Sequence, residues 1–198
     1  MSTPPEAFYS EERWQNWIDR LKAEEIDPED EDSARLLLNL QDDTAIAVAK
    51  IVNAHEEGEL EEEEEAIEEL ADVREIVLSD VEVEDEETAF LIDGVQTSLV
   101  CVFAAAEEYI LSGASEEASI EEYVRTAADA EAEEDFDAAL GYCAQAGTRI
   151  VDGENLDVSI GEEIEYGFVA EWVNGLDSLQ NAMRDPEVIE EEDADEES

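Results

Sequence analysis

Residues 86–112, EETAFLIDGVQTSLVCVFAAAEEYILS, decide the fold. Two acids open the stretch and Gly113 follows it, the usual punctuation of a helix that starts near Glu86 and stops at Ser112. Between them Phe90, Leu91, Ile92, Val95, Leu99, Val100, Val102, Phe103, Tyr109 and Ile110 cover most of a helix's circumference. A helix apolar on most sides must be surrounded, so the stretch predicts an all-α bundle with this element at its centre. Asp93, Gln96, Thr97 and Ser98 interrupt the run, and the unbroken remainder is too short to span a bilayer; no membrane association is expected.

The flanking sequence supplies the surrounding helices. Ser10 caps a first helix reaching about Glu25, with Tyr9 placed to staple onto Trp14 and with Trp14, Trp17, Ile18 and Leu21 on one face. A second runs from about Glu31 to Glu57, where Gly58 ends it, and carries Leu37, Leu40, Val48, Ile51 and Val52. The third, about Glu61 to Leu78, sets five glutamates against Ile67, Leu70, Val73 and Val77. Ser119 with Glu122 forms a capping box for the fifth helix, and Asp135 caps a sixth that ends near Ile150. A second capping box, Ser159 with Glu162, predicts one last helix to Met183, with Ile164, Phe168, Trp172, Leu176 and Leu179 along one side and Pro186 closing it. Leu156, Val158 and Ile160 alternate, as do Val81 and Val83, in runs too short for strands. About seven helices thus form one domain over residues 1–184. The stretch 185–198, nine of whose fourteen residues are acidic, reads as a disordered acidic tail.

Charge sets the solvent. Sixty-one Asp and Glu against nine Lys and Arg give a net charge of −52. A sphere of this size bearing that charge stores roughly 90 kcal/mol in about 0.1 M salt and roughly 20 kcal/mol in several molar salt. The difference exceeds an ordinary folding stability of about 5–15 kcal/mol. A 43% hydrophobic content in periodic runs excludes a disordered acidic polymer, so the composition predicts a globule adapted to a salt-rich cytosol. Met1 to Glu6 carries no basic residue and no apolar stretch follows, which predicts no export signal. Cys101 and Cys143 lie in apolar runs and are expected as reduced core thiols.

Two resemblances follow from particular residues. Tyr123, Ala127, Ala130, Phe136, Ala139, Cys143 and Ala146 fall at the spacing of a tetratricopeptide repeat, and EEDFDAALGYCAQA is similar to such a repeat's second helix. A lone unit cannot build a solenoid groove, since each repeat needs stacked neighbours. RWQNWIDRL, LLLNLQDDTAIAVAKIV and DGVQTSLVCVFAAAEEY resemble an uncharacterised family of haloarchaeal proteins, domain of unknown function 2150. That resemblance implies a salt-adapted cytoplasm and brings no activity with it.

No catalytic, cofactor or metal set assembles from the letters. Glu64, Glu65 and Glu68 with Glu82 and Asp85 match the helix carboxylates of Mg²⁺-dependent all-helical nucleotide hydrolases, the alternative functional reading. With 61 acids in 198 residues, any two positions are both acidic about one time in ten, so a solvated face explains the match better. The single histidine, His55, has Val52 three residues before it, which fails the di-metal Glu-x-x-His pattern and places the ring at a helix end near Gly58. There is no Gly-rich phosphate loop, and the charge disfavours nucleic acid as a partner. What remains is a non-enzymatic interaction or regulatory protein, with Trp14 and Trp17 as candidate contacts for a protein partner or a second copy in a homodimer. Two polar clusters within apolar helices need explanation: Asn39, Gln41, Asp42 and Asp43, and Asp93, Gln96, Thr97 and Ser98. If the second and fourth helices are neighbours, these form a buried hydrogen-bond network or line a small polar pocket.

Overall fold

A computed structural model describes residues 8–184 apart from Glu25, Pro28 and Val158. The expected acidic tail, 185–198, lies outside the described residues. Among the described residues eight helices follow one another: α1 (Glu11–Ala23), α2 (Glu31–Glu56), α3 (Glu63–Val77), α4 (Glu86–Ser112), α5 (Ile120–Ala132), α6 (Phe136–Val151), α7 (Ile160–Glu163) and α8 (Phe168–Arg184). No strand occurs among the described residues, and the protein is all-α.

Helix α4 is bounded as its letters dictate. The Asp85 carboxylate accepts the Thr88 amide at 2.9 Å and the Thr88 hydroxyl at 2.7 Å, and Gly113 leaves the helix with φ 75°. Helices α2, α3, α6 and α8 all pack on it. By length and composition alone α4 could cross a membrane, which corrects the expectation that its apolar run is too short. The packing of four helices on it supplies the reason for that apolarity: it is the central element of the bundle. One apolar cluster contains residues from all eight helices, with Leu40, Ile51, Leu99, Phe103, Leu176 and Leu179 among its largest fully buried side chains.

Two glycines set how closely the helices approach. A Cβ on Gly175 of α8 would lie 2.2 Å from the Ser98 carbonyl oxygen of α4. A Cβ on Gly147 of α6 would lie 2.3 Å from the Ala105 methyl of α4. The first is an approach to bare backbone and the second to a single methyl, and together they hold α8 and α6 close against α4. Cys101 of α4 and Cys143 of α6 are both free and buried, and burial raises the Cys101 thiol well above its usual range.

The capping box of α5 is present in both directions: Ser119 Oγ accepts the Glu122 amide at 3.2 Å, and Glu122 Oε2 accepts the Ser119 amide at 3.0 Å. Asp135 caps α6 through the Ala138 amide at 3.2 Å. The pair forms a tight hairpin turned by Glu134, which takes a left-handed φ of 64°.

The last expected helix is broken in two. Ser159 itself has helical angles and caps nothing; its hydroxyl donates to Asp157 Oδ1 at 2.6 Å. Helix α7 stops after one turn, Ile164 is extended, and α8 begins at Phe168. The Glu131 carboxylate, from the end of α5, starts it by accepting the Phe168 amide at 2.7 Å and the Val169 amide at 3.2 Å. Gly167 makes room, since a Cβ there would stand 2.4 Å from Glu131 Oε1.

Candidate functional site

The expected interaction pair lies mostly inside the protein. Trp14 is 5% exposed and belongs to the core with Ile18 and Leu21, which corrects its assignment as an accessible docking residue. Trp17 is half-buried; its indole N–H donates to Asp43 Oδ2 at 2.9 Å, and the Arg20 guanidinium lies 5.7 Å from its ring centroid. Both indoles pin α1 to the bundle.

The two polar clusters do not face each other, and their bonded members turn to other elements or to their own helix. Helices α2 and α4 are neighbours, as supposed. Yet the buried Asp43 carboxylate turns to α1, accepting Arg13 Nε at 2.7 Å, a second bond from Arg13 Nη2, and the Trp17 indole. The Gln41 amide donates to Ser178 Oγ at 2.8 Å and to the Asn174 carbonyl at 3.1 Å, both on α8. Gln96 donates to the carbonyls of Val77 at 2.9 Å and Ser79 at 2.8 Å, closing the C-terminal end of α3. Ser98 donates to the Gly94 carbonyl at 3.0 Å and more weakly, at 3.3 Å, to Glu171 Oε2 of α8. Thr97 bonds back to the Asp93 carbonyl at 2.8 Å. Asn39 and Asp93 are exposed, which corrects their assignment to a buried network. Asp42 is half-buried; burial raises its carboxyl pKa, the Ser178 hydroxyl opposes that rise, and the Asp177 charge adds to it.

Four of these eight residues, Gln41, Asp93, Thr97 and Ser98, nevertheless reach the wall of one cleft of about 640 Å³. It opens between the N-terminal halves of α4 and α8 and the α5–α6 turn. Its rim carries Phe90 (66% exposed), Phe136 (44%), Tyr166 (80%) and Phe168 (48%). The rings are ordered against one another: Phe136 meets Phe168 edge to face at 5.4 Å between centroids, and Phe168 stacks on the buried Trp172 at 5.9 Å. Among the described residues three carboxylates, Asp93, Glu131 and Glu171, share the wall, and no basic side chain lines it. The Glu171 charge and its hydrogen bond raise the Tyr166 phenol. A second cleft of about 570 Å³, with Arg125, Asp129, Glu163 and Glu165 in its wall, adjoins the first across Glu131 and Tyr166. There Glu163 holds Arg125, at 3.0 and 3.2 Å.

The periodic reading placed Phe90 and Phe168 toward the core. Phe136 and Phe168 are the first residues of α6 and α8, directly after the capping residue Asp135 and after Gly167, and an aromatic in that place is the signal that would have found this half of the rim; Phe90, fifth in α4, and Tyr166, between helices, carry no such mark. The carboxylates of Glu64, Glu65, Glu68 and Glu82 are exposed, and Asp85 caps α4. Among the described residues no three His, Cys, Asp or Glu side chains gather as a metal ion would need. His55 lies in the last turn of α2, with Nδ1 3.1 Å from the Leu60 carbonyl.

No curated protein and no solved structure matches the chain. The family model for an "Uncharacterized protein conserved in archaea (DUF2150)" matches residues 7–192, and the chain belongs to that family.

Proposed function

We infer that the protein is a non-enzymatic interaction protein of a salt-rich cytoplasm, and that it holds a partner protein at the aromatic-rimmed cleft. The carrying observation is the concentration about one concavity of Phe90, Phe136, Tyr166 and Phe168, four of the six exposed large apolar side chains among the described residues. Large exposed apolar patches mark contact sites, and aromatic anchors dominate the energetics of protein interfaces. In molar salt, surface charge pairs are screened within about 3 Å, whereas apolar burial persists and excluded salts strengthen it. A chain with 61 acidic residues therefore recruits partners through apolar area.

The test places a photo-crosslinking phenylalanine derivative at position 166 in one preparation and at exposed Asp72 of α3 in another, within cells grown in native salt. One discrete adduct from position 166, absent from position 72 and lost when Phe90 and Phe168 are both changed to serine, is expected. Identical adducts from both positions, or none from position 166, would remove the cleft from consideration.

A further inference from the structure

The aromatics locate the site, and the charge around them selects what enters it. Acidic residues cover this whole protein, so the carboxylates of Asp93 and Glu171 would mean little alone. Here they stand beside exposed ring faces in a cleft whose wall has no basic side chain among the described residues. Ring faces carry negative potential and attract a cation lying over them. An occupant bearing carboxylates would meet repulsion from wall and rings alike. At contact distance, where salt screens least, that disfavours occupants that present carboxylates or phosphates to the wall, such as the acidic stretch 185–198 or a nucleic acid.

Salt narrows the choice further. A compact, strongly hydrated ammonium relies on point-charge attraction, which molar salt removes. A guanidinium is planar, weakly hydrated, stacks on aromatic faces and bonds carboxylates in a fixed fork, so its binding survives where that of lysine fades. The adjoining 570 Å³ cleft lengthens the surface beyond one side chain, which suits a chain segment. Within that second cleft Arg125 already lies against Glu163, the same pairing supplied by the protein itself.

Resting on the docking reading above, we propose that the cleft receives an arginine-bearing, otherwise apolar segment of a partner protein, the guanidinium lying against the Phe168 and Tyr166 rings and facing the carboxylates of Asp93 and Glu171. Glu131 is a positioning residue in this arrangement, because its carboxylate holds the start of α8, and with it Phe168, in place.

The experiment titrates the full chain in molar potassium chloride with two synthetic peptides. One is acetyl-Leu-Arg-Leu-Arg-Leu-amide; its twin carries citrulline, which keeps the shape of arginine without the charge, at both arginine positions. The amide signals of Gly94 and Gly167, both in the cleft wall, report binding. The arginine peptide should bind about tenfold tighter than its twin. Tyr166→Ala, at a loop position too exposed to matter for folding, should erase most of that preference with unchanged circular dichroism, and Glu171→Gln should reduce it. Equal affinity of the two peptides would overturn the arginine assignment and leave the crosslinked docking site standing. Movement of neither amide by either peptide would also overturn it, while the position-166 adduct decides the docking reading separately.

Discussion

Helices α4 and α8 meet in two different ways along their shared length. At Ser98 and Gly175 their backbones touch, and a single added methyl would sit 2.2 Å from a carbonyl oxygen. Toward their N-termini the same two helices border a 640 Å³ cleft, and Gly94 of α4 has nothing within 4 Å of where its Cβ would be. Glycine is present at both places for opposite consequences. One glycine admits another helix, and the other faces open space. Folding is secured at the crossing, and the surface available for function is what the crossing leaves open.

Substitution at the two glycines should therefore give opposite signs. Gly175→Ala is expected to destabilise the protein by about 3 kcal/mol or more, since the obstructing atom is backbone and cannot rotate away. Gly94→Ala should be neutral or stabilising by up to about 1 kcal/mol, because alanine restricts the unfolded chain and favours helix. Thermal unfolding of both variants in molar potassium chloride measures the contrast. A similar loss in the two would show that the cleft is closed in solution.

The cap of α8 gives the next largest effect. Glu131→Ala removes the acceptor for the Phe168 and Val169 amides and should cost about 1 kcal/mol. Its distinctive sign is local: hydrogen exchange should quicken at residues 168 and 169 and stay unchanged around Gly175. Uniformly faster exchange would mean that Glu131 supports the whole bundle rather than the cleft edge.

What could be read in the letters was what depends on near neighbours. Helix α4 stops at Gly113 as read, and the Ser119–Glu122 box forms because both partners lie within one turn. The α7–α8 break was hidden because its cause, Glu131, lies 37 residues before Phe168. Ser159 and Glu162 match a capping box in spelling, but Asp157 takes the serine hydroxyl first. The polar clusters were legible as needing partners and illegible as to which ones. Asp43 found Arg13 and Trp17, and Gln41 found α8, through contacts set by tertiary packing. Period also misplaced Phe90 and Phe168, since helical spacing says which face a residue shares and nothing about whether a neighbour extends far enough to cover it.

The smallest expected effect lies at the junction of the two regions. Asp42 follows Gln41 on α2 near Ser178 and Asp177 of α8, and its Oδ1 finds no hydrogen-bond partner among the described residues. Burial raises its pKa above the unfolded value, so the native state favours the protonated form. The stabilising contribution of that form is full below the ordinary aspartate value of about 4 and is lost as pH rises through the native one. At neutral pH the buried charge therefore weakens the fold. Asp42→Asn, which cannot ionise, should raise stability there by no more than about 1 kcal/mol, since the side chain is half open to screening solvent. Lowering the pH protonates many other carboxylates and relieves their mutual repulsion, but that relief is common to both proteins. The difference between variant and wild type isolates Asp42, and it should shrink toward zero below about pH 4. A difference that stays constant across the titration would trace the gain to packing instead of charge, and a loss at neutral pH would mean that the Asp42 carboxylate is bonded to α8 more strongly than its burial opposes.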